Sequence, residues 1–206
     1  MGEKSGARRR FIGMLFVLMA VTSCTTIPEL KVTYQLPMRS EALKGKKVFI
    51  AFEDARKSKD LIGKGAQEQY RNFSGNITLF FARGDDTGFK IGVYHIPALF
   101  KEVFKERLEY LGAEVVSEKK ESEIEMVIVL KDLLLDLVGR DWVVTMDYEA
   151  KLMKDGEFLG SQTISGQAER LKVLGRGDAD KVMGEIFSDV VNRLDVPRLF
   201  QQAGLK

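Results

Sequence analysis

The chain contains a single cysteine, Cys24, and the residues before it follow the order of an export signal. Residues 4–10 include one lysine and three arginines, and residues 11–21 form an apolar run of 11 residues. A bilayer core about 30 Å thick requires about 20 apolar residues for a helical span, so this run is too short for an ordinary membrane helix. The pattern predicts a signal peptide over residues 1–23 that is removed after export.

The leader ends in Val21, Thr22, Ser23 and Cys24. These residues resemble the lipobox of bacterial lipoprotein precursors, in which a branched apolar residue and two small ones precede a cysteine. In that family the cysteine sulfur receives a diacylglyceryl group, a peptidase cuts before it, and the new amino group receives a further acyl chain such as palmitate. The resemblance implies that Cys24 is the lipidated first residue of the mature protein. Each buried methylene contributes about 0.8 kcal/mol, so several acyl chains hold a domain on a membrane.

The alternatives for Cys24 are a conventional signal peptide with a chance cysteine and a buried free thiol. A lone cysteine forms no intramolecular disulfide, and a free thiol in an exported chain needs a special explanation, which lipidation provides. Thr25 follows the cysteine, where an aspartate would imply retention in the inner membrane. The resemblance therefore implies the periplasmic face of the outer membrane in preference to the inner membrane.

The net charge of +2 comes from the leader rather than from the predicted mature chain. Residues 1–23 carry 4 of the 32 basic residues and 1 of the 30 acidic ones, which leaves 28 basic against 29 acidic. A balance of −1 does not indicate a nucleic-acid partner. The lipid anchor, rather than charge, is the predicted link to a membrane.

The domain organisation follows from where prolines and hydrophobic patterns begin. Residues 24–46, with two prolines and a glycine, are predicted to be a lipidated cysteine and tether, and residues 47–206 a single periplasmic domain. Residues 47–53 alternate as a strand buried on both faces, and residues 57–69 read as a long loop. Residues 76–82 and 89–94 flank a Gly-Asp-Asp-Thr-Gly turn and predict a hairpin.

The second half of the chain has clearer periodicities. Residues 97–111 predict an amphipathic helix, and residues 124–137 a strand. Residues 142–152 alternate strictly and return through Asp155-Gly156 into residues 157–169, which predicts a hairpin. Asp178 is predicted to cap a last helix with one apolar stripe, and residues 196–200 to pack against the core. The predicted fold class is α+β, a single mainly antiparallel sheet with two amphipathic helices packed on one face.

Four segments of the mature region resemble the YajG-like family of bacterial lipoproteins. They are Thr33-Tyr34-Gln35-Leu36-Pro37, the strand at 48–52 running into Asp54-Ala55-Arg56, the helix end Tyr110-Leu111-Gly112, and the long hairpin before the last helix. The resemblance implies an envelope location and supplies no functional site. A weaker likeness connects the chain to auxiliary lipoproteins of ABC-type transport systems, and the insert at 57–94 departs from that pattern.

Few residues indicate chemistry, and the sequence predicts no catalytic residue, cofactor or metal site. His95 is the only histidine and the one cysteine is assigned to lipid, so zinc binding is not expected. Asp54 and Arg56 at the end of a predicted strand, with Asp60 nearby, form a possible surface site, and a structural salt bridge is the alternative. The candidates for contact with anionic head groups are the basic residues Lys44, Lys46, Lys47, Arg56, Lys57 and Lys59, with solvated surface charge as the alternative.

The leading hypothesis is a non-enzymatic accessory or scaffold domain that binds another envelope component, a protein, through exposed strand edges such as residues 77–82. The alternative is a lipid- or glycan-binding module with an apolar cavity lined by Phe104, Met146 and Phe187. An enzyme is the third hypothesis, because hydrolases can work with carboxylates alone. The carboxylates available for it are Asp54, Asp60, Asp85 and Asp86.

Overall fold

The computed structural model describes residues 28–84, 86–173 and 175–205, which contain eight strands and three α-helices. The strands are β1 Leu30–Gln35, β2 Lys47–Asp54, β3 Ile77–Ala82, β4 Phe89–Tyr94, β5 Glu114–Val116, β6 Ile124–Val138, β7 Asp141–Lys154 and β8 Glu157–Leu171. The helices are α1 Ile96–Tyr110, α2 Gly177–Asn192 and α3 Val196–Gln202. Short 3₁₀ turns occupy Lys64–Ala66 and Lys119–Glu121.

The larger sheet has five strands in the order β5-β2-β6-β7-β8. Strand β2 is parallel to both β5 and β6, whereas β6, β7 and β8 are antiparallel. Alternate residues of β7 are buried, as its period-two pattern predicts for a strand with one face on the core. The turn from β7 to β8 places Asp155 and Gly156 at φ values of 51° and 86°, the conformation that favours Asp-Gly in two-residue hairpins. The predicted hairpin is confirmed.

The smaller sheet has three strands in the order β1-β3-β4. Strands β3 and β4 form the predicted hairpin, and β1 adds to the other side of β3 in parallel. Alternate residues of β1, Leu30, Val32 and Tyr34, are completely buried. The tether predicted at residues 24–46 therefore overlaps the fold, because β1 and Leu43 belong to the core.

Helix α2 lies along the free edge of β1 and supplies the hydrogen-bond partners that another strand would supply. Asp180 Oδ1 accepts from the Lys31 amide at 3.0 Å, and Ser188 Oγ accepts from the Gln35 amide at 3.0 Å. Ser188 Oγ also donates to the Thr33 carbonyl at 3.1 Å, and Asn192 Nδ2 donates to the Gln35 carbonyl at 2.8 Å. Asp180, Ser188 and Asn192 are separated by eight and four positions, so they form one stripe along the helix.

Gly184 completes this stripe and allows the close approach of helix and strand. A Cβ atom at this position would lie 3.1 Å from the Thr33 carbonyl oxygen and 3.2 Å from the Thr33 nitrogen. The opposite face of α2 carries the predicted apolar stripe, which packs against β7 and β8. Helix α2 thus joins the two sheets.

A buried arginine closes the C-terminal end of α2. Arg107 of α1 is 6% exposed and donates to the side-chain oxygen and the carbonyl of Asn192 and to the Leu194 carbonyl. A cation at a helix C-terminus interacts favourably with the unpaired carbonyl groups there. The Tyr34 hydroxyl donates to the same Asn192 oxygen at 2.7 Å. One polar cluster therefore fixes α1, α2 and β1 together.

The predicted fold class, a single mainly antiparallel sheet with two helices on one face, is wrong. The described residues form two sheets, both of mixed strand direction, and three α-helices. Two physical reasons explain the difference. First, the crossover through α1 brings the chain back parallel to β2, so part of the large sheet is parallel. Second, β1, which lies in the predicted tether, pairs with β3, so the β3–β4 hairpin belongs to a sheet of its own. Hydrophobic periodicity specifies which face of a strand is buried, but it does not specify which other strand lies beside it.

Two local predictions also need correction. Asp178 does not cap α2, because the helix begins at Gly177 after Arg176, and the Asp178 carboxylate accepts from the Val173 amide at 2.9 Å instead. Residues 77–82 are not an exposed edge, because β3 pairs with a strand on each side. Within the described ranges, no helix has both the length and the apolarity needed to cross a bilayer.

We expect Gly184→Leu to destabilise the protein by about 2 kcal/mol in urea-induced unfolding, because the side chain must displace the β1 backbone. Leucine is a better helix former than glycine by about 1 kcal/mol, so a loss of stability isolates the steric contact with Thr33. Lys181→Leu puts the same side chain on the exposed face of α2 and should change stability by less than about 0.5 kcal/mol. Equal urea-unfolding midpoints for the two variants would show that stability does not depend on the close approach of α2 and β1.

Candidate functional site

The two residues predicted as a possible surface site meet at the end of β2. Arg56 is buried and donates through Nε and one terminal nitrogen to the two carboxylate oxygens of Asp54, each at 3.0 Å. Lys59 lies on the other side, with its ammonium 2.8 Å from the Asp54 carbonyl oxygen and 3.1 Å from the carboxylate. Hydrogen bonds from Arg56, against a smaller opposing effect of burial, hold the pKa of Asp54 well below its usual range.

This ion pair holds a turn rather than presenting a reactive group. A bidentate arginine occupies both oxygens of the Asp54 carboxylate, and the arginine itself is buried against the Leu133 carbonyl, 3.5 Å from its other terminal nitrogen. The charges of Asp54 and Arg56 are therefore paired with each other where the chain leaves β2 and enters residues 57–94. These contacts are those of a structural salt bridge, the alternative expected from sequence, and a surface site at Asp54 and Arg56 stays an untested prediction.

A cleft of about 600 Å³ borders this turn and contains the chain's only histidine. His95 is exposed, occupies the position before α1, and makes no side-chain hydrogen bond that caps the helix. Asp60 lines the same cleft, but its carboxylate accepts from the Ser58 hydroxyl. Asp86 lines a different cleft at the β3–β4 turn, and Asp85 lies outside the described residues.

Of the three described carboxylates named for a hydrolase, Asp54 and Asp60 share a cleft and Asp86 lies in another, so these three do not converge on one point. Among the residues that the structure describes, no group of three or more His, Cys, Asp and Glu side chains could hold a metal ion.

The residues named for a ligand cavity are packed against other side chains. Phe104 stacks on Phe100 at 6.4 Å and meets Tyr148 edge-on at 5.5 Å. Phe187 meets Phe100 edge-on at 5.4 Å. Both rings are completely buried, and Met146 is 1% exposed. A close-packed interior disfavours the lipid- or glycan-binding module that those three residues suggested.

The basic residues named for contact with head groups do not form one cluster. Lys44, Lys46 and Lys47 lie at the start of β2, whereas Arg56, Lys57 and Lys59 follow its end. A strand of eight residues separates the two groups by about 26 Å. They are therefore two separate surfaces at opposite ends of β2.

The feature that the structure adds is the edge formed by β8. This strand has 15 residues and ends the five-stranded sheet, and no described strand pairs with its outer edge. Residues 158–168 contain no charged side chain and no proline, which are the means by which exposed edges usually avoid pairing. The sequence shows the charge-free run, but only the structure shows that no described strand lies beside it.

The other sheet ends in an edge of a different kind. Strand β4 has six residues and carries Lys90 and Gly92, and the β3–β4 register shifts at Leu79 and Phe80. Shortness, lysine and an irregular register all reduce the tendency of an edge to pair. Strand β8 also shifts its register once, between Phe158 and Gly160, but its length and its uncharged run make it the better surface for adding a strand.

Comparisons with known proteins support the fold and leave the function open. No sequence-family model and no curated protein matches the chain. The crystal structure of protein XCC0632 from Xanthomonas campestris, labelled with family DUF330, is similar with a TM-score of 0.51 at 14% identity, covering 85% of this chain and 99% of that chain. At that identity the likeness shows a shared fold alone.

Two further structures overlap less well. Protein CT253 from Chlamydia trachomatis gives a TM-score of 0.45 at 8% identity, covering 78% of this chain and 99% of that chain. Lipoprotein GNA1162 from Neisseria meningitidis gives a TM-score of 0.32 at 15% identity, covering 72% of this chain and 97% of that chain. The residues that carry the lipobox prediction, Val21 to Cys24, lie outside the described residues. The YajG-like resemblance and the lipidation of Cys24 therefore stay predictions.

We expect Asp54→Asn to lower the free energy of unfolding at pH 7 by about 1 to 2 kcal/mol, because Arg56 loses its ion pair while Asp54 is partly exposed to solvent. The folded-state pKa of Asp54 is depressed, so its contribution is present above the unfolded-state value and is lost as the pH falls through and below that value. Urea unfolding at several pH values should show the wild type and the variant converging in acid. A difference that stays constant from neutral to acidic pH would contradict this assignment.

Proposed function

We propose that this chain is a non-enzymatic envelope lipoprotein, held on a membrane through Cys24, whose domain binds a partner protein by adding one of its segments to β8. The observation that carries the proposal is the long outer edge of β8, uncharged over residues 158–168. A row of unpaired amide and carbonyl groups is a template for another strand. The domain then acts as an accessory or scaffold.

The chemistry of β8 selects the class of partner. Its outward side chains between the ends are exposed hydroxyl and amide groups, at Ser161, Thr163, Ser165 and Gln167. Over this run β8 itself offers no charge for an acidic or basic segment to pair with, and the charged side chains on the same face, Asp147, Glu149 and Lys151, belong to the neighbouring strand β7. Main-chain hydrogen bonds would supply the affinity, and an uncharged extended segment of another envelope protein is the partner that loses least on desolvation.

The membrane anchor rests on three features of the sequence. The leader is too short for a membrane span, the lipobox-like residues end in the only cysteine, and lipidation explains that cysteine in an exported chain. The fold begins at Leu30, six residues after Cys24, so the anchor and the domain are close along the chain. Thr25 favours the periplasmic face of the outer membrane as the location.

We expect Cys24→Ala to abolish attachment of the lipid and to leave the leader uncleaved by the lipoprotein peptidase. Intact mass spectrometry of the wild type should show loss of residues 1–23 and a gain of diacylglyceryl and acyl chains on Cys24. A wild-type protein with an unmodified cysteine, or cleavage at another residue, would overturn the proposed anchor.

We expect a photo-activated crosslinker at Ser165 to join the protein to a specific envelope polypeptide in intact cells. Thr163→Lys combined with Gln167→Lys should lower the yield of that product by about tenfold, because two ammonium groups would have to be desolvated beside the added strand. The same crosslinker at Val93, which lies on the exposed edge strand β4, is the matched control and should not give the product.

The outcomes of this experiment separate the candidate partners. A Ser165 product that is lost in the double-lysine variant, whose thermal unfolding should match the wild type, supports strand addition by another protein. A product of twice the chain's own mass would show self-association instead of an accessory role. The same product from Ser165 and Val93, or a yield unaffected by the lysines, would exclude β8 as the binding edge.

A further inference from the structure

One end of the molecule, which we term the anchor end, is where the chain coming from Cys24 enters the fold. The Lys31 amide at the start of β1 donates to Asp180 in the first turn of α2. The preceding chain therefore leaves the domain beside the beginning of α2. Strand β4 ends at Tyr94 opposite Ile77, which pairs with Leu30, so α1 also begins at this end. Strand β2 finishes here too, because Asp54 and the residues after it line one cleft with His95 and Pro97.

The distance from the anchor end to the lipid is short. Six residues separate Cys24 from Leu30, and at about 3.3 Å each they reach no more than about 20 Å when fully extended. The strands of the large sheet run away from this end, and the 14 residues of β7 span about 45 Å. The tether therefore keeps the opposite end away from the membrane that holds Cys24 and leaves the anchor end nearest to it.

The turn from β6 to β7 and the end of β8 lie at the anchor end and form a tip. We define the β6–β7 tip by Val138, Arg140, Asp141, Leu171, Lys172 and Val173. Val138 and Leu171 both pair with Asp141, so they flank it on one face of the sheet. The Lys172 amide donates to the Arg140 carbonyl at 2.9 Å, and the Val173 amide donates to Asp178 of α2, also at 2.9 Å. These bonds fix the tip against the same end of α2 that borders the start of β1.

The β6–β7 tip presents apolar side chains to solvent. The exposed fractions are 59% for Val138, 51% for Leu171 and 70% for Val173. Single exposed aliphatic residues are ordinary on protein surfaces, whereas three on one tip, with basic neighbours, are typical of a surface that contacts an apolar phase.

The charges around these three residues suit a bilayer with anionic lipids. The tip has two basic side chains, Arg140 and Lys172, and one acidic side chain, Asp141. With Asp178, which accepts from the Val173 amide, and Arg176 at the start of α2, the count is three basic against two acidic, a balance of +1. The Lys172 ammonium lies 5.7 Å from the centre of the Trp142 ring, which keeps it beside the sheet end. Long basic side chains can reach phosphate groups while neighbouring aliphatic residues enter the head-group region.

We infer that the β6–β7 tip is a membrane-contact surface for a bilayer containing anionic phospholipid. Val138, Leu171 and Val173 enter the head-group region, and Arg140 and Lys172 bind lipid phosphates. The contact fixes the orientation of the domain, with β8 standing upright on the membrane. This inference rests on the proposed lipid anchor, because without it nothing brings the tip to the surface.

The test uses the full lipidated chain with a fluorescent probe at Val173→Cys. Lipidation consumes the Cys24 thiol, so the introduced cysteine is the only one that reacts with the probe. Met38→Cys is the matched control, because Met38 is an exposed apolar residue near the opposite end of the molecule. The proteins are reconstituted in vesicles of phosphatidylcholine and phosphatidylglycerol that carry a nitroxide quencher at head-group depth, and flotation confirms that they are bound.

We expect quenching at position 173 to be at least about threefold greater than at position 38. Arg140→Glu combined with Lys172→Glu should reduce the quenching at 173 by about half in these vesicles, and much less in pure phosphatidylcholine. If the protein floats with the vesicles but quenching is equal at positions 173 and 38, the proposed membrane contact of the tip is wrong and the proposed lipid anchor is retained. Protein that does not float would overturn both the anchor and this inference.

Discussion

The architecture depends on the way α2 satisfies the free edge of β1. An edge strand buried without partners would leave several amide and carbonyl groups unpaired, and each such group costs about 1 to 3 kcal/mol. Asp180, Ser188 and Asn192 supply those partners from one stripe of the helix, and Gly184 lets the backbones approach. The other face of the same helix packs on the large sheet. One helix thus makes a single core out of two sheets that share no strand.

This arrangement also gives the molecule two unlike ends. The first turn of α2, the start of β1 and the β6–β7 turn lie at the anchor end, where the chain leads toward Cys24. The last turn of α2 lies at the other end, where buried Arg107 binds its carbonyl groups and Tyr34 binds Asn192. Strand β8 runs between the two ends. Its free edge therefore faces sideways along the length of the domain, which is where a partner segment could reach it.

Much of the fold could be predicted where neighbouring residues decide the structure. Strict alternation in residues 142–152 and the Asp155-Gly156 turn specify the β7–β8 hairpin, and the 3.6-residue period specifies α1 and α2. The candidate site was predicted only in part. Asp54 and Arg56 do meet, because they are two residues apart on one turn, but they form an ion pair. The β8 edge could not be predicted, because only the tertiary structure shows that no strand of the described residues pairs with its outer side.

The sequence by itself determined the predicted address of the protein, since a signal peptide and a lipobox are read as short linear patterns that need no fold. It also determined which faces of the long strands and helices are apolar, since those follow from local periodicity. Only the tertiary structure decided that residues 30–35 belong to the core, that β2 and β6 are parallel, and that β8 ends the sheet. The physical reason is that pairing between distant strands depends on loop closure and on competing partners along the whole chain, which no local pattern encodes.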